Sequence, residues 1–214
     1  MPSAIQRRAA LAFAASGLVV LGTPWLGRAA RAEALVPTPS MTEGPFYPVA
    51  IPADADSDLV RVAGQAASAQ GIPTSIAGRV LDRNGRAVQG ATVEIWQCDA
   101  NGRYLHPNDR GPRDPAFQGF GRTATDAEGR YRFRTIRPAP YTGRTPHIHF
   151  AVLAPGRNRL VTQMFVAGEA RNERDFLYRA LDAQARRAVT VALAPAPGQA
   201  AGTLAGTFDI VLAA

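Results

Sequence analysis

From residue 75 onward, the chain is divided into short segments of alternating apolar and polar residues by turns rich in Gly, Asn and Asp. In residues 130–135, for example, Tyr131 and Phe133 alternate with arginines, which is the pattern of a strand with one buried face. Many short strands separated by turns favour two packed sheets over a helical or α/β architecture. The sequence therefore predicts a mainly β fold, an antiparallel β-sandwich with one short helix and long loops.

Turn sequences between the segments also indicate which strands pair. We expect adjacent segments to pair as 76–81 with 91–97, as 122–125 with 130–135, and as the strand that ends near residue 153 with 160–166. The one predicted helix begins at Asn172, as its N-cap, and ends near Arg186. Final strands are expected at 189–193 and 207–212.

The first 32 residues have the organisation of an export signal. Gln6-Arg7-Arg8 precedes an apolar run at 9–21, and Ala30-Arg31-Ala32 forms a small-residue cleavage site. The paired arginines resemble a twin-arginine signal. The run is shorter than the ~20 residues that span a bilayer, so no stable membrane anchor is expected after cleavage, and a retained anchor is the alternative.

We therefore expect an exported, periplasmic protein with one folded domain of ordinary size. The expected domains are the signal at 1–32, an irregular N-terminal arm at 33–74 and the β-sandwich at 75–214.

The net charge of +7 does not indicate a nucleic-acid-binding protein. All basic residues are arginines, and four of them lie in the first 32 residues, where there is no acid. The remainder contains no basic stripe with interleaved aromatic residues, so we expect no nucleic acid partner. Cys98 is the only cysteine, so an internal disulfide cannot form, and beside Trp96 it is expected to pack in the core.

Two of the three histidines form a His-x-His pair within the segment 140–150. In an extended strand His147 and His149 point to one face, while Ile148 and Phe150 point to the other. One face can therefore bind a metal while the other packs in the core. A strand end with two solvated histidines is the alternative.

Two tyrosines and a glutamine could join these histidines. Tyr104 follows a predicted strand, and Tyr141 precedes the histidine strand. Two phenolates with two neutral imidazoles suit a hard trivalent cation, above all Fe(III), better than Zn²⁺, although tyrosines are more often structural. Gln163 shares a face of the return strand with Val161 and Phe165, so it could lie beside the histidines. A buried amide satisfied by the backbone is the alternative.

Two loop features allow more than one interpretation. The run Thr42-Glu43-Gly44-Pro45-Phe46-Tyr47 combines turn formers with two aromatic residues, which suits either the rim of a site or a simple anchoring turn. His106 lies in a long loop at 105–118, where a solvated histidine is favoured over a residue that touches a pocket.

Together these segments resemble the intradiol ring-cleavage dioxygenases, in particular the iron-bearing subunit of the protocatechuate 3,4-dioxygenase branch. The resemblance rests on the 42–47 motif, on GATVEIWQCDANGRY at 90–104, on GRTATDAEGRYRFRTIRPAPY at 121–141 and on RTPHIHF at 144–150. It covers nearly all of the chain after the signal. It implies a catalytic β-sandwich that cleaves a catechol-type ring with O₂, incorporates both oxygen atoms and yields a cis,cis-muconate-type diacid.

The resemblance also implies roles for individual residues. The implied Fe(III) ligands are Tyr104, Tyr141, His147 and His149. Tyr141 would leave the metal when a catechol binds and would help accept its proton. Arg144 would stabilise negative charge on the substrate, and Gln163 would lie near the substrate. The expected catalytic residues are thus Arg144, Tyr141 and Gln163, and the expected partners are a catechol-type small molecule and O₂.

Two other functions are compatible with parts of the sequence. The runs at 78–85 and 125–131 also resemble repeats of transthyretin-like or carbohydrate-binding domains, so a non-catalytic secreted β-sandwich binding module is the alternative. Such modules lack the set of four ligands. A zinc hydrolase on the same two histidines is disfavoured, because the sequence offers no further carboxylate base at suitable spacing.

Overall fold

The computed structural model describes residues 34–213, and its strands confirm the predicted mainly β fold. The predicted export signal at 1–32 lies outside these residues. Across the described range, no helix combines the length and the apolar character needed to cross a bilayer. The elements in chain order are β1 (Pro73–Asp82), β2 (Thr92–Trp96), β3 (Phe120–Ala124), β4 (Arg130–Ile136), β5 (His147–Leu153), β6 (Leu160–Val166), a 3-10 helix (Ala170–Arg174), α1 (Phe176–Ala180), α2 (Ala183–Val189), β7 (Thr190–Val191), β8 (Ala194–Pro195), β9 (Leu204–Thr207) and β10 (Ile210–Leu212).

The strands form two sheets that share one core. The first sheet has the order β10-β1-β9-β8, with β4 also paired to β1, and the second has the order β3-β2-β5-β6-β7. Strand β1 pairs antiparallel with β4 on one side, and parallel with β9 and then β10 on the other. Strands β6 and β7 are also parallel. The sandwich is therefore confirmed, but its sheets are mixed, because short late strands cross over and run alongside β1 and β6.

Two of the three expected strand pairs are wrong. Strand β2 pairs with β3 and β5 rather than with β1. The chain after β1 turns back only as far as an isolated bridge between Leu81 and Ala87. Strands β3 and β4 lie in different sheets. The chain thus crosses from one sheet to the other at these positions. The alternation of apolar and polar residues cannot distinguish such a crossover from a hairpin, because the strands of both sheets bury one face. The third pair is confirmed, since β5 and β6 run antiparallel with His149 opposite Gln163.

The single helix predicted at 172–186 is instead three short helical segments. Asn172 lies inside the 3-10 helix, where its buried side chain bonds to a neighbouring loop and strand, and it is not an N-cap. Asp175 caps α1 by accepting hydrogen bonds from two backbone N–H groups, and Asp182 caps α2 by accepting one from the N–H of Ala185. An N-cap residue has an extended backbone, so these two aspartates interrupt the continuous helix.

Strand β5 separates the core from the candidate site. Ile148, Phe150 and Val152 are fully buried in the cluster between the sheets. His147 and His149 point the other way, to what we call the outer face of the second sheet, as the alternation predicts. Irregular segments and the short helices cover this outer face. The site therefore lies beneath loops, on the side of the sheet opposite the core.

The chain between residue 34 and β1 contains neither a helix nor an extended strand. Leu59 inserts fully into the core. The Tyr47 hydroxyl donates a hydrogen bond of 2.9 Å to Glu94, and Arg159 forms an ion pair with Glu43. The last two contacts hold the start of this N-terminal segment against the outer face of the second sheet, whereas Leu59 fixes its later part in the core between the sheets.

The carboxylate of Glu94 is the buried anchor of this segment, with 3% of its side chain exposed. It accepts hydrogen bonds from Arg122 Nε at 2.9 Å and Nη2 at 2.6 Å, as well as from Tyr47. We expect Glu94→Gln to lower the free energy of unfolding by about 1–3 kcal/mol, because the substitution removes the buried negative charge that accepts the hydrogen bonds of Arg122. Urea unfolding measures this. Glu128→Gln, at the exposed partner of Arg130, should change the free energy of unfolding by less than about 0.5 kcal/mol. Equal changes in the two variants would contradict the role of Glu94 as an anchor.

Candidate metal centre

The four side chains expected to bind a metal lie together on the outer face of the second sheet. Ring centroids are 5.2 Å apart for Tyr104 and Tyr141, 5.5 Å for Tyr141 and His147, and 4.8 Å for His147 and His149. Tyr104 and His149 are 6.1 Å apart. Strand β5 supplies both histidines, the turn before β5 supplies Tyr141, and the loop after β2 supplies Tyr104. The fold thus brings all four predicted ligands into one cluster.

Aspartates fix the loop that carries Tyr104. Asp99 Oδ1 accepts hydrogen bonds from the N–H groups of Asn101 at 2.8 Å and Arg103 at 3.0 Å, which folds a tight turn after β2. The N–H of Tyr104 then donates to Asp109 at 2.7 Å. The phenol is therefore presented from a fixed backbone, and Tyr104 is only 1% exposed.

Both histidines are neutral, and their Nε2 atoms face each other at 3.2 Å. His147 Nδ1 lies 2.6 Å from the carbonyl oxygen of Thr145, so it donates its proton there and leaves a lone pair on Nε2. The His149 ring stacks on Trp96 at 4.8 Å and 10°. Burial lowers the pKa of His147 to about 4 and the pKa of His149 well below its ordinary value. Both imidazoles are therefore uncharged at pH 7, as metal ligation requires.

The two phenols are short of hydrogen-bond partners. Among the described residues, none bonds to the buried hydroxyl of Tyr104, while the hydroxyl of Tyr141 accepts a long hydrogen bond of 3.4 Å from Arg144 Nη1. Burial raises the pKa of Tyr104 well above its ordinary value, and it also raises the pKa of Tyr141 despite the opposing charge of Arg144. An unpaired buried hydroxyl costs about 1–3 kcal/mol. Ligation to a cation would remove that cost and stabilise the phenolate.

These donors fit a metal ion. No three His, Cys, Asp or Glu side chains of residues 34–213 form a metal-binding cluster, so a centre at this position must use the tyrosines. Two imidazole nitrogens and two phenol oxygens would supply four ligands and, with both phenols ionised, two negative charges. Such a set suits a hard, highly charged ion better than Zn²⁺.

Arg144 lies beside the cluster with its guanidinium held by three partners. Nε donates to Asp175 at 2.7 Å, Nη2 donates to Gln163 Oε1 at 2.6 Å, and Nη1 faces the Tyr141 hydroxyl. Its side chain is 9% exposed, and the guanidinium lies 5.6 Å from the centre of the Phe176 ring. Because a guanidinium stays protonated at any relevant pH, a fixed positive charge is directed at Tyr141.

Asp175 is the residue of this site that sequence reasoning missed. Its fully buried carboxylate accepts hydrogen bonds from Arg144, from the Thr145 N–H at 3.0 Å, and from the N–H groups of Leu177 and Tyr178 at 3.0 Å each. Burial raises its pKa, but these hydrogen bonds and the charge of Arg144 leave the pKa lowered overall. The only sequence signal is an Asp in the first turn of the predicted helix, a position that favourable interaction with the helix N-terminus alone explains.

Gln163 connects Arg144 to the N-terminal segment. Its Oε1 accepts from Arg144, and its Nε2 donates to the carbonyl oxygen of Thr42 at 3.1 Å. It is fully buried on β6 opposite His149, as expected. Its amide is thus bound both to backbone and to the arginine, and its catalytic role stays a prediction.

The 42–47 motif lies against the cluster. The Phe46 ring stacks on Tyr104 with centroids 4.7 Å apart and planes at 19°. A Cβ added to Gly44 would come within 3.5 Å of His149 Cε1, which shows how closely this backbone approaches the imidazole. The motif therefore forms part of the rim, and through Tyr47 it is also an anchoring turn.

His106 and Cys98 lie nearby but do not join the four donors. The half-buried His106 meets the edge of Phe46 at 5.7 Å, and its Nδ1 accepts from the Asn108 N–H at 3.1 Å. The buried thiol of Cys98 donates to the carbonyl oxygen of Ala139. Burial raises the pKa of this thiol to about 12, so Cys98 is a neutral packing residue, as predicted.

A cleft of about 530 Å³ opens beside Tyr141 and Arg144. Its other walls are the turn at 101–103 and the 3-10 helix, through Arg171 and Arg174. A second cleft, of about 740 Å³, lies between residues 49–52 and the loop at 105–113, but its walls include none of the four donors. The first cleft is therefore the candidate entrance for a substrate.

Comparison with known proteins shows what this arrangement is similar to. The Dioxygenase family model (Dioxygenase_C) matches residues 42–214. The protocatechuate 3,4-dioxygenase beta chain of Burkholderia cepacia is 38% identical over 167 residues, which cover 73% of this chain and 71% of that protein. Hydroxyquinol 1,2-dioxygenase of Rhodococcus opacus is 36% identical over 156 residues, which are 64% of this chain and 49% of that protein. The chain thus spans about half the length of the latter enzyme.

Solved structures of dioxygenases are also similar to this chain. The dioxygenase domain of a dioxygenase carbohydrate-binding protein fusion from Streptomyces sp. SirexAA-E superposes with a TM-score of 0.63 at 32% identity, over 83% of this chain and 99% of that one. Catechol 1,2-dioxygenase from Acinetobacter sp. ADP1 gives a TM-score of 0.63 at 26% identity, over 82% of this chain and 62% of that one.

Proposed function

Because this chain belongs to the intradiol ring-cleavage dioxygenase family, we propose that it is a non-haem Fe(III) enzyme that cleaves a catechol-type ring with O₂ to a cis,cis-muconate-type diacid. The observation that carries the proposal is the convergence of two facing imidazole nitrogens with one buried phenol, Tyr104, and one half-buried phenol, Tyr141. The alternative, a binding module without activity, requires no such donor set. The relatives described above, each named a dioxygenase, do not favour it.

The proposed ligands of the iron are Tyr104, Tyr141, His147 and His149. When bound, Fe(III) would supply the Lewis acidity that keeps phenols ionised at neutral pH and that binds a deprotonated catechol for reaction with O₂. The surrounding rings would keep bulk water away from this position, since both histidines and Tyr104 are almost completely buried.

Tyr141 is the proposed acceptor for a substrate hydroxyl proton. It is the more exposed of the two tyrosines, and it lines the entrance cleft. Because burial raises the pKa of the free phenol, its phenolate oxygen has a high affinity for a proton once it is no longer a ligand. A proton from an incoming catechol hydroxyl can therefore move to Tyr141 Oη.

Arg144 is the proposed stabiliser of negative charge on the substrate. It lines the same cleft, and its guanidinium is already oriented by Asp175 and Gln163 before any substrate binds. A charge that is fixed in advance needs little reorganisation as anionic character develops on the ring. Asp175 and Gln163 would then act through Arg144, as positioning residues.

Colour, iron content and oxygen uptake test the proposed function. We expect purified protein to contain one iron per chain and to be red-brown from phenolate-to-iron charge transfer. It should consume O₂ with at least one of catechol, protocatechuate and hydroxyquinol, with a muconate-type diacid as the product. A preparation that stays colourless and inactive after reconstitution with ferric iron would favour the binding module.

We further propose that the protein is exported to the periplasm. The support is the sequence of residues 1–32 alone, with its paired arginines, apolar run and small-residue site. Cell fractionation tests this, because replacing Arg7 and Arg8 by lysine should retain a twin-arginine-dependent protein in the cytoplasm.

A further inference from the structure

The entrance cleft carries positive charge without a lining acid. Its walls include Arg103, Arg144, Arg171 and Arg174, and no Asp or Glu lines it. An anion inside it would therefore be attracted by several guanidiniums and would face no lining carboxylate.

The four arginines differ in how strongly they are already paired. Arg144 is held by Asp175 and Gln163, and Arg103 pairs with Asp109 at 3.2 Å. Arg171 has only an ion pair of 3.3 Å with Glu169, and its own side chain is 60% exposed. In the part of the chain that the structure describes, no carboxylate lies within ion-pair distance of Arg174. Arg174, and Arg171 beside it, are thus the cations of the cleft that can accept an anionic partner.

The cleft is also larger than one ring requires. A dry cavity of about 150 Å³ accommodates benzene, whereas this cleft measures about 530 Å³, within the ~300–1,000 Å³ typical of small-molecule sites. If a catechol ring lies in this cleft against Tyr141 and Arg144, most of the volume remains unfilled, and Arg171 and Arg174 of the 3-10 helix line the same cleft. That space can hold a substituent of the ring.

We propose that Arg171 and Arg174, on the 3-10 helix wall of the cleft, bind an acidic group carried on a side chain of the catechol substrate. A guanidinium binds a carboxylate through parallel N–H donors, which orients the ligand as well as attracting it. The inference rests on the proposed function, because the ring has to be placed by the metal centre. The favoured substrate is then a 3,4-dihydroxyphenyl acid with a short chain between ring and carboxylate.

Matched substrates test the proposal in the iron-loaded enzyme. The probes are 3-(3,4-dihydroxyphenyl)propionate, its primary amide and unsubstituted catechol, with kcat/KM measured by oxygen uptake. We expect the wild type to prefer the acid over the amide by roughly tenfold. Arg174→Gln should remove most of this preference through a higher KM for the acid, while the constants for catechol stay unchanged. Arg179→Gln, at an exposed arginine that does not line the cleft, is the matched control.

Two further readouts separate the outcomes. Protocatechuate carries its carboxylate on the ring itself. The Arg174→Gln substitution should therefore lower kcat/KM for protocatechuate by less than it lowers kcat/KM for the propionate. An equal decrease for both substrates would overturn the proposed chain length. Equal rates for acid and amide in an active wild type would overturn the acidic subsite and leave the ring-cleavage proposal intact. If iron-loaded enzyme consumes none of the catechols, the proposed function itself fails. A matching loss for catechol on Arg174→Gln would show a general structural effect and also overturn the subsite.

Discussion

Replacing His147 by alanine should give a folded, colourless protein that no longer retains iron. His147 contributes one of two Nε2 atoms that face each other at 3.2 Å, and its tautomer is set by Thr145. Loss of partners that only orient a ligand already weakens metal affinity by about 10–100-fold, so removal of a ligand itself should weaken it by more than about 100-fold. Metal analysis after gel filtration, together with the visible spectrum, measures the effect.

The third histidine of the chain provides the control for this prediction. His106 lies in the loop after β2, outside the four donors, and contacts Phe46 edge-on. His106→Ala should retain iron and colour, with thermal unfolding of both variants recorded to show that each is folded. If His147→Ala keeps full iron and ring cleavage, the assignment of the metal centre is wrong.

Replacing Arg144 by methionine should lower kcat/KM by about 10²–10³-fold, the range found when a preorganised charge-stabilising donor is lost. Iron and colour should remain, because Arg144 is not one of the four donors. Methionine keeps an unbranched side chain of comparable bulk while removing the charge. Steady-state oxygen uptake with the best catechol measures the loss, and Arg130→Met at an exposed ion pair should leave activity unchanged.

Asp175 provides a second arm of the same experiment. Asp175→Asn keeps an oxygen that can cap α1 but removes the negative charge opposite Arg144. If Asp175 acts through Arg144, the single variant loses part of the activity, and the double variant is no slower than Arg144→Met alone. Fully multiplicative losses in the double variant would instead indicate that Asp175 has an independent role.

The sequence predicted the faces of the strands better than it predicted the route of the chain. The alternation in β5 places its histidines and its core residues on opposite faces without any knowledge of the partner strands. Strand pairing is different, because the residues of β1 and β2 bury apolar side chains in the same core whichever sheet they join. Alternation therefore identifies each strand but not its neighbour.

The helical region shows a second limit. Helical structure is found within the predicted range 172–186, but an aspartate such as Asp175 or Asp182 can lie inside a helix or cap its N-terminus, and the sequence alone does not decide between the two. Asp175 is also bound to Arg144, which is 31 residues away in the sequence. A contact at such a separation depends on the fold, so local patterns cannot reveal it.

The position of the donors on the outer face of β5 has a consequence for engineering this protein. The seven residues of that strand stabilise the fold on one side and present the imidazoles on the other. Within residues 34–213, the segments that cover the imidazole side are loops, turns and helices of at most seven residues. Directed evolution for new aromatic substrates can therefore vary the covering segments around a few fixed positions, in libraries that keep the donors Tyr104 and Tyr141, the anchor Tyr47, and the inward half of the strand unaltered.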